Sequence, residues 1–196
     1  MNRILKITVF LLIAHISIAT SFGQNETDIK QTFEAYFEAV SSKDNAATLD
    51  YIYPKLFDFY PKEMMLQALD RVKEDTTTHM AIDNSEVVNV TEPLVVDGVS
   101  YALVSYTFEM SIQIMADVEG DEEYNRADFA FEMLKELHGE DQVKYDQEQG
   151  KVEVKVSTAL YAINDPKYNG WKFLEKKEGM QPMLEKLLPA KVLKKL

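Results

Sequence analysis

The stretch VSYALVSYTFEMSIQIM (Val99 to Met115) constrains this chain more than any other part of it. Ala102, Val104, Tyr106, Phe108, Met110, Ile112 and Ile114 fall on every second position, and Ser105, Thr107, Glu109, Ser111 and Gln113 lie between them. Successive side chains of a strand point to opposite faces, so this pattern predicts one long strand with a single buried face. A strand this long, apolar on one side only, belongs to an antiparallel sheet covered on one face by helices.

The flanking segments predict where those helices come from. TDIKQTFEAYFEAVSSKDN carries Ile29, Phe33, Tyr36, Phe37 and Val40 at helical spacing, with Thr27 as its cap and SSKDN as its break. AATLDYIYP predicts a shorter helix that ends before Pro54. After an irregular start, KLFDFYPKEMMLQALDRVKED turns helical, with Pro61 at its first position and Met64, Met65, Ala68, Leu69 and Val72 as the buried stripe. From Thr76 the period becomes that of strands, broken at DNS, TEP and VDG.

The second half of the chain alternates again. ADFAFEMLKELHG predicts a helix burying Phe129, Met133, Leu134 and Leu137 and stopping at Gly139. QVKYDQEQGKVEVKVSTALYAIN predicts a hairpin turning near Gln149 and Gly150, with Val152, Val154, Val156 and Leu160 on one face of its second strand. Beyond the turn DPKYNG, Trp171, Phe173 and Glu175 alternate with Lys172, Leu174 and Lys176. A short amphipathic helix interrupted at Pro189 closes the chain, and no internal repeat, low-complexity tract or linker divides it.

The N-terminus, MNRILKITVFLLIAHISIATSFGQ, has a basic start at Arg3 and Lys6, an apolar run over Ile7 to Ile18, and small residues Ser21 and Gly23 before Gln24. This layout predicts a secretory signal peptide over residues 1–23, cleaved after Gly23, and a periplasmic or secreted domain over 24–196. The run is shorter than the roughly 20 residues of a spanning helix, although an uncleaved anchor is the alternative reading. No membrane association is expected after cleavage. Cysteine is absent, which excludes a lipid-anchored lipoprotein, disulfides and cysteine-ligated metal. Without Arg3 and Lys6, 19 of the 21 basic residues face 33 acidic ones, a formal charge of −14. Such a surface repels phosphate backbones, so nucleic acid is not an expected partner.

Helices first, then a long antiparallel sheet, then a late strand bearing GWKFLE: this order resembles the nuclear-transport-factor-2-like superfamily, and exported members from Bacteroidetes-type bacteria above all. The likeness is carried by YFEAVSSKDNAATLDYIYPKLFDFYPKEMM (Tyr36 to Met65), LYAINDPKYNGWKFLE (Leu160 to Glu175) and the ending MLEKLLPAKVLKKL, and covers most of Thr27 to Leu196. It implies an α+β cone, with N-terminal helices in the concave face of a strongly curved antiparallel sheet and a pocket at the wide end. The helix in ADFAFEMLKELHG would be an insertion between sheet strands. The superfamily hosts isomerases, dehydratases, polyketide cyclases and non-catalytic binding factors, so the fold leaves activity open.

Within such a cone, Tyr36, Tyr60, Tyr106, Phe108, Trp171 and Phe173 would line the interior, as core or as the wall of a ligand pocket. Catalytic members use an Asp, a His or both inside the cone. No catalytic constellation is legible here; the candidates are Asp58, flanked by Phe57 and Phe59, and His79, with Asp83 nearby in sequence. Burial would raise such a carboxyl towards neutral pH, as a general base needs. Against this, Asp58 also suits a turn, and His138 suits a solvated helix end. The run Asp117, Glu119, Asp121, Glu123 alternates like a calcium loop, but Glu122 and Asp128 occupy the positions that need Gly and Glu. Neither a metal nor a cofactor is expected.

Two functions follow as expectations. One is a non-catalytic exported module for a small apolar ligand or a protein partner, with Ser105, Thr107, Ser111 and Gln113 offering a sheet face for a homodimer. The other is a cofactor-independent isomerase, lyase or cyclase acting on a small organic substrate.

Overall fold

The computed structural model describes residues 24–115 and 126–196. The signal-peptide segment and the acidic run 117–123 lie outside the described residues. Helix α1 covers 24–41, so it begins upstream of the expected cap Thr27, where Gln24 Nε2 donates to Asp28 Oδ1 at 2.9 Å. It ends as SSKDN predicts. Lys43 takes a left-handed φ of 56°, letting Asp44 N donate back to Ala39 O at 2.9 Å. Asp44 then caps α2 (Asn45–Asp50) by accepting from Ala47 N at 3.0 Å, a contact worth about 1 kcal/mol. A 3₁₀ turn (Pro54–Asp58) leads to α3 (Lys62–Glu74), where Pro61 is the cap rather than the first helical residue.

Among the described residues, six antiparallel strands form one open sheet: β1 (Thr78–Val90), β2 (Leu94–Val96), β3 (Val99–Ile114), β4 (Val143–Asp146), β5 (Lys151–Asn164) and β6 (Lys172–Glu175). β3 and β5 pair along nearly their whole length, from Ser100↔Asn164 to Gln113↔Lys151. β1 and β2 share the far side of β3, and β4 and β6 share the far side of β5. The expected break at DNS is a bulge inside β1, between Asp83 and Glu86, with Asn84 at φ 53°. Asp97 and Gly98, at φ 51° and 79°, make the tight turn between β2 and β3. The fold class is therefore α+β with an antiparallel sheet, as the sequence predicts. Among the described residues no helix is long and apolar enough to cross a membrane.

Three core clusters divide the sheet. On one face, Ile29, Phe33, Tyr36 and Phe37 of α1 cluster with Ala102, Val104 and Tyr106 of β3, Leu160 and Ala162 of β5, and Trp171 and Phe173. Further along that face, Leu134 of α4 (Arg126–His138) clusters with Val152, Val154 and Val156. The opposite face is covered at one end only. There Tyr101, Tyr161, Ile163 and Leu174 cluster with Leu184, Leu187 and Leu188 around α5 (Gln181–Leu187) and Val192 of α6 (Ala190–Lys195).

Four expectations need correction. Val99–Ile114 is not one-sided throughout, because Tyr101 is buried on its second face beneath the C-terminal helices. Leu174 is buried for the same reason. α3 contributes no buried residue: Met64 and Val72 are 59% and 57% exposed, because the helix meets α2 at the surface rather than the sheet. In α4 the buried stripe is Ala127, Ala130 and Leu134, leaving Phe129, Met133 and Leu137 exposed. Two apolar stripes compete on that helix, and the one with small residues lets its backbone approach β5 closely.

Candidate functional site

Aromatic side chains from three elements meet around Phe33. The i, i+3, i+4 spacing of α1 brings Phe33, Tyr36 and Phe37 onto one helix face. Phe33 meets the Tyr106 ring edge-on at 4.9 Å and the Phe173 ring at 6.1 Å. Tyr36 lies 5.3 Å from Phe173, and Tyr106 stacks on Phe108 at 5.9 Å. Trp171 is buried in the same cluster, and Phe108 is half-buried against it. Of the six expected pocket residues, five are therefore gathered here. Tyr60 is not: it is 48% exposed beyond the 3₁₀ turn.

Among the described residues one carboxyl, half-buried, reaches this cluster, and it is not an expected site residue. Glu175 follows Phe173 by two residues on β6, on the same side of the strand, and Tyr106 Oη donates to Glu175 Oε1 at 3.0 Å. Burial pushes the Glu175 carboxyl above its ordinary value, outweighing the stabilising bond from Tyr106 and the charge of Lys177. Burial, and then the negative charge of Glu175, hold both Tyr36 and Tyr106 well above the usual phenol range. The arrangement is a carboxyl with two protonated phenols, chemically able to hold or pass a proton. The alternation that placed Trp171 inside also placed Glu175 inside, so this signal was present in the sequence.

Asp58 and His79 are both exposed, and the structure does not bring them together. His79 pairs in register with Gln113 and shares a face of β1 with Asp83, outside the aromatic cluster. Among the described residues no three or more His, Asp or Glu side chains are grouped to hold a metal ion. The sheet face proposed for pairing combines Thr107, Ser111 and Gln113 with Glu153 and Lys151 of β5, so it is charged once the strands are assembled. A groove of about 410 Å³ opens there, lined by Asp83, Glu109, Lys151 and Lys155 among others.

A second polar centre sits at the other end of the sheet. Asp165, 3% exposed, accepts from Lys167 N at 3.0 Å and lies 3.4 Å from the Tyr53 hydroxyl that donates to it. Tyr101 stands beside this pair, its phenol pushed up to about 12 by burial first and then by Tyr53, Asp165 and Asp97. Next to them is a cleft of about 550 Å³, with Lys55, Lys167 and Lys186 on its walls. Sequence reasoning missed it, because its walls come from four separate segments. No protein-family model, curated protein or solved structure matches the chain.

Proposed function

We propose that this chain is an exported, non-catalytic binding domain with the nuclear-transport-factor-2-like architecture: α1 held in the concave face of a strongly curved sheet, recognising a small apolar ligand or a protein partner. The shape is supported by the antiparallel sheet and by the core cluster that joins α1 aromatics to β3, β5 and the Trp171–Phe173 segment. Export rests on the N-terminal layout of basic start, apolar run and small residues before Gln24.

One observation carries the non-catalytic reading. The interior is occupied by the protein's own side chains, with Phe33, Phe173 and Ala162 at 1%, 1% and 0% exposure. Glu175, the one carboxyl there among the described residues, is bonded to Tyr106, and the clefts described above take no wall from this cluster. Neither of those clefts reaches the half-buried carboxyl, which favours recognition at the surface. Native mass spectrometry of protein recovered from its own host's exported fraction tests both halves. The expected result is a chain beginning at Gln24, carrying a small molecule or a stoichiometric partner. A bare chain, or one retaining Met1, refutes the corresponding half.

Glu175 also favours a second reading, as the proton-transferring residue of a cofactor-independent isomerase, lyase or cyclase. That reading needs an opening beside the carboxyl. Xenon, which occupies dry cavities, would mark one in a pressurised crystal. Its absence near Glu175 removes the enzyme reading.

A further inference from the structure

The lysine-bearing cleft supplies a more specific inference, which rests on the binding reading above. Its floor is apolar, formed by Val96, Val99, Leu187 and Leu188, the last two buried. Its volume lies within the ordinary range for small-molecule sites. Lys55, Lys167 and Lys186 line it, and among the described residues none of them has a carboxylate within ion-pair distance. Lys55 Nζ sits 5.6 Å from the Tyr53 ring centre and Lys186 Nζ 5.7 Å from that of Phe59, contacts that hold their stems in place. In a chain with 33 acidic residues, unpaired lysines sharing one cleft are notable. Asp97 and Asp165 also stand in the wall, the latter accepting from Tyr53 and Lys167 N, so three lysines face two acids there.

Tyr101 adds an independent pointer. It is 3% exposed and lines the cleft, yet its hydroxyl meets no hydrogen-bond partner among the described residues. It is not sealed off either, since no buried side-chain polar atom lacks a partner there. Its hydroxyl therefore opens onto the cleft as a donor. A donor beside an apolar floor, in a cleft where unpaired lysines outnumber the acids, matches a head bearing negative charge on an apolar tail.

We propose that this cleft binds a small amphiphilic carboxylate. The head accepts from Tyr101 and is flanked by the lysines, and the tail lies along Val96, Val99 and the Leu187–Leu188 corner.

The test is calorimetric titration of the whole protein with laurate below its micelle concentration, with acetate and inorganic phosphate as heads lacking a tail. Saturable 1:1 binding of laurate is expected, at least tenfold tighter than either head alone. Tyr101→Phe keeps the packing and removes only the donor, so it should fold normally and weaken binding about tenfold. Changing Lys55, Lys167 and Lys186 together to Gln should weaken it by about tenfold or more, and added salt should mimic part of that loss. Near-ultraviolet dichroism of Trp171 checks that each variant is folded. Laurate that does not bind, or binds unchanged to both variants, overturns the proposal. So does phosphate binding as tightly as laurate, because the floor would then be unused. A retained ligand of another class in native mass spectrometry, together with no laurate binding, overturns this inference and leaves the binding reading standing. A bare chain that also fails to bind laurate overturns both.

Discussion

Replacing Phe33 by alanine tests whether α1 is held against the sheet. Phe33 is 1% exposed, and its ring contacts Tyr36, Phe37, Tyr106 and Phe173 at centroid distances of 6.3, 5.9, 4.9 and 6.1 Å. Deleting a fully enclosed phenyl ring costs about 3–5 kcal/mol, combining lost transfer energy with the cavity left behind. The edge-on pairs contribute part of this, at about 0.5–1.5 kcal/mol each. Against a total stability of about 5–15 kcal/mol, that loss is large. For a domain of this size it lowers the melting temperature by roughly 6–20 °C. Phe129→Ala is the control, because that ring is 56% exposed and its removal should stay within about 0.5 kcal/mol. Urea unfolding followed by emission of Trp171, the single tryptophan, reads both variants against the unchanged protein. The midpoint of Phe33→Ala should fall with its slope unchanged. Equal costs for the two variants would refute the placement of α1, and with it the proposed cone.

Three further outcomes are expected. The Glu175 carboxyl lies above its ordinary 4.5 in the folded protein, so the fold holds that proton more tightly than the unfolded chain does. Stability therefore declines as pH rises from about 4.5 through the folded value. Glu175→Gln should flatten this decline in urea midpoints measured across the acid-to-neutral range, and parallel curves for the two proteins would contradict the buried placement. Asp165→Ala strands the Tyr53 hydroxyl and Lys167 N, and should cost about 1–3 kcal/mol by the same unfolding assay; a cost below that of Phe129→Ala would show that the pair is idle. Gly150 has φ 59°, and an added Cβ would sit 3.1 Å from Ile114 O, so Gly150→Ala should destabilise the β4–β5 turn by about 1–2 kcal/mol, whereas a stabilised variant would show that the turn differs.

Local pattern carried much of this fold. The two-residue alternation from Ala102 to Ile114 marked β3 and its inner face, and Asp97–Gly98 marked the turn before it. The same alternation placed Trp171 and Phe173 inside, where they are 4% and 1% exposed. It placed Glu175 there too, although Asp58 and His79 looked more like site residues because of their neighbours in the chain. A flanking Phe57 and Phe59 say little about burial when the chain is turning at the surface. Spacing of three and four residues marked α3 and α4 as helices with apolar faces, since that period follows from the backbone alone.

Which face would be covered was a different matter. α4 carries Ala127, Ala130 and Leu134 beside Phe129, Met133 and Leu137, and only the position of β5 decides that the first set goes inward. Tyr101 and Leu174 looked outward by alternation, until α5 and α6, later in the chain, closed over that end of the sheet. The lysine cleft likewise exists only because Lys55, Lys167 and Lys186 are brought together from distant segments. Periodicity is set by bonds between near neighbours, so one dimension suffices to read it. Burial and the meeting of charges are set by what arrives from elsewhere, and that only three-dimensional packing supplies.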